Sequence, residues 1–366
     1  TPASSGNSAA SVPSPVVVNG KSYDGVLQTT TSTNNGQTSV TAVLDSSKLQ
    51  AMLNQAGPGQ SVIIPVMQAV NTTTVGLTAE SLRALENGPS QLVIQTANGS
   101  YQIPVSEIST SRLTRLFQAS GDVTGMNVQI TIAGYEAAKA AQLQAAAQKM
   151  GLQMVTGPVD FRIAASFQGQ TLNVSPYSTY VQHILPIPAA GEGMVSTGVM
   201  LDENGTVHPV PTRLTGENGS RSAVVSSVTG GTFALVGYST SFSDVSGHIQ
   251  EVVQNLASRL ILQGTGDGRF NPDRTITRAE FAAILVRALG LAGGGQSSSY
   301  ADVKPGDWYT EAVTLAQRYG IVNGYSDGTF RPGHTITREE ALVMFNRAGK
   351  LAQLKSGADR EGLSQA

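Results

Sequence analysis

The 366-residue chain contains no cysteine. Disulfides, thiolate metal sites and cysteine nucleophiles are therefore excluded. The absence also suits an exported protein that folds without oxidative machinery. Charge is scarce: Asp, Glu, Lys and Arg make up 13% of the residues, with a net charge of −2. Without a basic surplus to neutralise phosphates, nucleic acid is disfavoured as a partner. No apolar run approaches the roughly 18 residues that a membrane helix needs, so no membrane span is expected. Aromatics are few, at 5%, and there is a single tryptophan. The four histidines, His183, His208, His248 and His334, do not pair with one another at metal-ligand spacing, so the expectation is no metal site and no cofactor. Gly266-Asp267-Gly268 and Asp327-Gly328 invite a calcium reading. They lack the alternating oxygen ligands and the late Glu of an EF-hand loop, and Arg269 and Phe270 follow instead. No phosphate loop, nucleophile elbow or dinucleotide fingerprint is present, and Asp160, Asp202 and Glu203 give no reason to pair as a glycosidase dyad. The expectation is a non-enzyme with no catalytic residue.

What is present is enough to fold. An apolar fraction of 40% builds real cores, and the length suggests two or three domains. Residues 1–15 are Ser, Ala, Pro and Gly, a linker composition. The chain starts Thr-Pro-Ala without an initiator Met or leader, so a piece of something longer is expected. Residues 16–157 mix short β-branched runs with helices. Asp45 and Thr78 are N-caps, and Leu44/Leu49 and Leu77/Leu82 are staples. The helix–strand pattern recurs, stopped each time by Gly-Pro (Gly57-Pro58, Gly88-Pro89), and reads either as a weak internal duplication or as two short α+β segments that share good caps. An Ala/Gln-rich helix is expected over Tyr135–Met150. Residues 158–240 are mostly β, with hairpins around Gln168-Gly169, Asp202–Gly205 and Gly216–Gly219. Between Tyr238 and Phe242 the composition changes. Residues 1–240 carry 22 charged residues and residues 241–366 carry 26, and ten of the thirteen basic residues in the second part are Arg. A domain boundary is expected there. The expected fold class is a multidomain chain: an α+β N-terminal region of short helices and β-hairpins, followed by all-α helix–loop–helix repeats.

Those repeats are the strongest signal. Residues 264–291 and 324–351 align without a gap and share thirteen of twenty-eight positions, sixty residues apart. They divide the C-terminal part into repeats at 241–292 and 293–351. Residues 352–366 resemble the lead-in to a missing third. In the second repeat Trp308, Ala312, Leu315, Ala316 and Tyr319 fall on one helical face. Gly324, Asp327 and Gly328 form a tight loop, with Phe330 as its apolar plug. Thr277 with Glu280, and Thr337 with Glu340, have the spacing of capping boxes. Arg278 and Arg338 stand at the first helical position, where the helix dipole favours an acidic residue. Each is read as a surface residue, a salt-bridge partner, or a planar donor fork aimed at an anion.

An opening Phe/Tyr-x-Asp-Val (Phe242–Val245, Tyr300–Val303), a Gly-x-x-Asp-Gly-x-Phe-x-Pro loop and an Ile-Thr-Arg-x-Glu helix start occur twice in that order. This pattern, over residues 242–351, resembles the S-layer homology (SLH) domain. The resemblance implies non-covalent anchoring of an exported protein to the bacterial cell wall. The partner it implies is secondary cell-wall polysaccharide, often pyruvylated, and the location is extracellular, in the cell wall or S-layer. It also implies the ligand-facing residues Arg278 and Arg338, with Asp244, Asp302, Trp308, Gly264 and Gly324 completing the carbohydrate-binding groove. A ketal carboxylate suits a bidentate Arg and a sugar face suits Trp. The first repeat has Gly247-His248-Ile249 where the family has a Trp, and the third repeat usual in the family is absent. The upstream region resembles the spacer segments before SLH repeats in Gram-positive surface proteins. Two rivals stay open: an enzyme or adhesin upstream of Thr1, or an S-layer lattice subunit whose residues 16–240 bind glycan or assemble with their own kind. An exposed aromatic platform or acidic cleft there favours binding or catalysis, and a Ser/Thr/Gln surface favours a spacer.

Overall fold

A computed structural model describes residues 15–57, 61–119, 123–134, 137–202, 205–217, 221–293 and 297–354. The linker expected at 1–15 (Pro15 apart) and the lead-in expected at 352–366 (beyond Leu354) lie outside the described residues. So do Pro58, Tyr135 and turn positions 203–204 and 218–219.

The strands are β1 Val16–Val18, β2 Lys21–Tyr23, β3 Leu27–Asn34, β4 Gln37–Leu44, β5 Ser61–Val66, β6 Thr72–Thr78, β7 Gln91–Thr96, β8 Gly99–Pro104 and β9 Asn127–Gly134. They continue as β10 Gln153–Met154, β11 Val159–Phe167, β12 Gln170–Asn173, β13 Val181–Pro186, β14 Thr197–Leu201, β15 Val207–Val210, β16 Thr212–Thr215, β17 Ser222–Ser227 and β18 Gly231–Gly237. The helices are α1 Ser46–Ala56, α2 Ala79–Glu86, α3 Thr110–Leu116, α4 Ala137–Lys149, α5 Gln250–Ser258, α6 Arg278–Ala288, α7 Thr310–Arg318 and α8 Arg338–Leu351.

Two large mixed sheets dominate. One has 8 strands in the order β16-β17-β13-β8-β7-β5-β1-β2. The other has 10, in the order β15-β14-β18-β11-β9-β6-β4-β3, with β10 and β12 attached to β18 and β11. Strands from residues 158–240 pair with strands from residues 16–157 in both sheets, as β13 with β8 and β11 with β9. The two helix–strand units sit side by side. β4 runs parallel to β6 in one sheet, and β5 runs parallel to β7 in the other. Asp45 accepts from Lys48 N at 3.0 Å and Thr78 from Ser81 N at 3.3 Å, so both caps form.

Most strands bury every second residue, as in β5, β7 and β11, which sets one face of each sheet on a shared core. Across that core Tyr101 and His183 of one sheet meet Phe161 and Phe233 of the other, at ring separations of 4.3–5.2 Å. β14 and β18 are buried on both faces. Their second face is covered by Leu143 and Ala147 of α4 and by Leu260 from beyond α5.

The expected fold class is thereby corrected. Sheets, not short helices with local hairpins, make up the N-terminal region, and the C-terminal part is not all-α. The repeat helices are short, 9 to 14 residues, and are joined by long loops. These loops bond to one another across repeats, including an antiparallel bridge between Thr277 and Thr335. In the N-terminal region Thr-rich segments such as β3 and β6 gain strand structure from pairing with neighbours rather than from an apolar pattern of their own.

The repeats dock on one end of the sheets. Tyr180 donates its hydroxyl to the Leu289 carbonyl at 2.7 Å, and Arg259 Nη1 reaches the Thr212 carbonyl at 3.2 Å. Gly290 packs so closely on Val210 and Pro211 that a Cβ there would lie 2.6 Å from Pro211 Cδ.

Candidate functional site

Each repeat closes its loop with the same aspartate. Asp302 Oδ1 and Oδ2 accept from the amides of Phe330 and Arg331, both at 2.7 Å. Asp244 accepts from Phe270 N at 2.8 Å and Asn271 N at 2.7 Å. These backbone bonds hold the Asp244 carboxyl below the ordinary carboxylate range. Asn271 and Arg331 both take left-handed backbone, φ 56° and 58°, so the loops share one geometry. Gly264 and Gly324 exist for close approach. A Cβ on Gly324 would stand 2.3 Å from Tyr300 Cε1, and one on Gly264 would stand 2.6 Å from Phe242 Cε1. All four of these sequence-predicted residues therefore build loops.

Both capping boxes form, with Thr277 and Glu280 and with Thr337 and Glu340 satisfying each other's backbone amides. The two arginines then diverge. Arg278 is 5% exposed. Its Nε donates to the Phe330 carbonyl at 3.0 Å and its Nη1 pairs with Glu340 at 2.8 Å. Its guanidinium lies 4.9 Å from the ring centres of both Tyr325 and Phe330. The first amides of α6 are also taken: Arg278 N donates to the His334 carbonyl at 2.9 Å and Ala279 N to that of Pro332 at 3.1 Å. The N-terminus of α6 is thus closed by the loop of the second repeat. Arg338, its counterpart, is exposed and has no hydrogen-bond or ion-pair partner among the described residues.

Glu340 sits at the centre of this junction. Burial works against its charge. The bonds from Tyr325 Oη (2.5 Å), Thr337 N (3.0 Å) and Arg278 nevertheless hold its carboxyl below the ordinary range. In the first repeat the matching Glu280 pairs instead with Arg274 of its own loop, at 2.6 Å. Position 274 is Arg where the second repeat has His334, so the first repeat supplies the cation to both capping glutamates, Arg274 to its own Glu280 and Arg278 to Glu340 of the second.

Trp308 precedes α7 rather than lying on its buried face, and it is 67% exposed. Its ring meets Tyr309 edge-on at 5.4 Å. The face of α7 that packs inward carries Val313, Leu315 and Ala316. The structure brings Arg278, Asp302 and Gly324 together around one loop, and Asp244 and Gly264 around the other. Trp308 and Arg338 stay on the surface. A groove of about 290 Å³ opens beside Arg278, lined also by Asn323, Tyr325, Glu340, Val343 and Arg347. Arg347 was legible as one of the thirteen shared positions, paired with Arg287. Tyr325 was not, because Thr265 stands at its place in the first repeat.

The pattern of the S-layer homology domain family matches residues 241–282 and 299–342. The chain is 39% identical over 118 residues to an amylopullulanase of Thermoanaerobacterium thermosulfurigenes, covering 32% of this chain and 6% of that protein. It is 37% identical over 113 residues to the middle cell wall protein of Brevibacillus brevis, covering 30% of this chain and 11% of that protein. It is 37% identical over 103 residues to a cellulosome-anchoring protein of Acetivibrio thermocellus, covering 27% of this chain and 23% of that protein. The chain therefore spans a small fraction of the length of these relatives, and the likeness involves about a third of its own. Two repeats built on one loop clamp, one capping box and one close-approach glycine, matched by the family pattern over both copies, lead to one conclusion: residues 241–342 carry two S-layer homology domains.

Proposed function

We propose that these two domains hold the protein at the cell wall by binding an acidic, pyruvylated secondary cell-wall polysaccharide, with residues 16–240 serving as a structural spacer. Cell-surface anchoring and an extracellular location at the wall follow from the domains themselves. The polymer and the contact residues are the further step. The observation that carries it is the asymmetry of the two equivalent arginines. Arg278 is consumed by the junction between repeats, whereas Arg338 is exposed at the N-terminus of α8, where a planar fork and free amides both suit a carboxylate. Exposed Trp308 offers an apolar face to a sugar ring. Asp244, Asp302, Gly264 and Gly324 shape the two repeat loops.

The spacer reading is supported by the surface of residues 16–240. Among the described residues its exposed large apolar side chains are Val43, Met67, Met150, Met194 and Leu214, none of them aromatic. The edge strand β3 shows solvent a row of Thr and Ser. The likeness to an amylopullulanase covers 32% of this chain and gives no ground for assigning catalysis to it. We read the chain as non-enzymatic. Titration of purified wall polysaccharide into the full chain tests the site. Arg338→Ala and Trp308→Ala should each weaken binding by about tenfold or more while the fold is retained. Unchanged affinity in both removes the assignment.

A further inference from the structure

Among the described residues, one cluster of ligand-type side chains lies outside the proposed carbohydrate site. Asp202 follows β14, and His208 lies in the paired strand β15, opposite Met200. Asp202 Oδ1 accepts from Thr206 N at 2.8 Å, which fixes the carboxylate and turns Oδ2 to His208 Nε2 at 2.9 Å. Glu311, the second residue of α7, comes from the second S-layer homology domain. Its carboxylate meets this pair, so that one ligand atom from each of the three residues lies within 4.8 Å of the other two. Glu311 is exposed and has no hydrogen-bond or ion-pair partner among the described residues. Two carboxylates converging on one imidazole repel each other unless a positive charge stands between them.

We infer that Asp202, His208 and Glu311 form a site for a zinc-type divalent cation that ties the β14–β15 hairpin to α7. One imidazole nitrogen and two carboxylate oxygens are a donor set for zinc or a neighbouring transition ion, with a fourth position left for water, and are unlike the all-oxygen cage of calcium. Ligand atoms around a tetrahedral zinc stand about 3.4 Å apart. The Asp202 Oδ2–His208 Nε2 pair, at 2.9 Å, opens slightly to reach that value, and exposed Glu311 closes on the ion by side-chain rotation. His208 binds through Nε2, and any proton there moves to Nδ1 or to solvent as the metal enters. The Thr206 amide bond to Asp202 Oδ1 is the outer contact that keeps Oδ2 aimed inward. The consequence is mechanical. The ion joins residues more than a hundred positions apart and fixes the anchoring repeats to the sheets they carry, beside the existing contacts of Tyr180 with Leu289 and Arg259 with Thr212.

The test is calorimetric titration of Zn²⁺ into the full chain after treatment with a chelator, alongside thermal melts with and without the ion. The expected result is one class of site at about one ion per chain and a raised melting temperature, because an ion that binds only the folded state stabilises it by mass action. Glu311→Gln and His208→Gln should each weaken binding by about tenfold or more. Glu311→Gln, at an exposed position, should not lower the metal-free melting temperature, which separates loss of the ligand from loss of the fold. His248→Gln is the control for surface histidine binding and should change nothing. No Zn²⁺ binding by the unaltered chain overturns the site. So does binding that survives both substitutions.

Discussion

Replacing Arg278 by alanine removes a side chain that is 5% exposed and joins the two repeats. The ion pair to Glu340 at 2.8 Å, the hydrogen bond to the Phe330 carbonyl at 3.0 Å and the contacts with the Tyr325 and Phe330 rings are all lost. A hydrogen bond to a charged group contributes about 1.5–3 kcal/mol and a cation–π contact about 0.5–1 kcal/mol or more. These do not add fully. Glu340 also keeps its bonds from Thr337 N and Tyr325 Oη, so its charge is not left without partners. The expected cost is about 3 kcal/mol, below the upper range for breaking a buried pair. Hydrogen exchange read by mass spectrometry over 270–290 and 324–345 measures it locally. Protection in both segments should fall by about 100-fold, the equivalent of that free energy. Arg338→Ala, at the same motif position, should shift protection by less than about 0.5 kcal/mol, because an exposed side chain without partners contributes little. Equal effects from the two substitutions would refute the reasoning, since the sequence motif alone would then set the role.

Gly324→Ala should destabilise the second repeat by about 1–3 kcal/mol, since the added methyl meets Tyr300 at 2.3 Å and the Thr329 carbonyl at 2.8 Å. Gly333→Ala, with open space around it, should not, and urea unfolding compares the two. Trp308→Ala should leave the melting temperature unchanged while reducing wall binding; a large fall in stability would mean the ring is a packing element. Burial pushes the pKa of His183 down to about 3. Below the ordinary histidine value of about 6.5 the unfolded chain takes up a proton that the folded chain refuses, so stability falls as pH drops through that window. Between pH 7 and pH 4 this amounts to about 3 kcal/mol. His183→Phe, which preserves the aromatic cluster, should remove that part of the acid sensitivity, and an unchanged loss in urea titrations at the two pH values would count against it.

The repeats were legible because their devices are local. A capping box needs four consecutive residues, and the loop glycines and Phe330 recur at a fixed spacing, so sequence alone located them. The same holds for the Asp45 and Thr78 caps. The sheets were not legible to the same degree. β3 and β6 are runs of threonine with little apolar alternation, and they become strands because β4 and β9 pair with them. The crossing of strands between residues 16–157 and 158–240 depends on partners far away in sequence, which no local pattern records. Arg278 and Arg338 are identical in motif. What separates them is that the second repeat follows the first and covers it, a fact of tertiary contact. Trp308 shares the period of α7 but precedes its first turn, so periodicity grouped it with helix residues it does not join. His208 and Glu311 meet only because the repeats dock on the sheet edge.

Anchoring through an acidic wall polymer is tested most directly by co-sedimentation of the full chain with purified Gram-positive cell walls, before and after chemical removal of pyruvate from the polysaccharide. The account predicts that the untreated walls carry the protein down and that removal of pyruvate lowers the affinity by about tenfold or more, the scale of one lost carboxylate–arginine contact. Equal sedimentation with both wall preparations would contradict it.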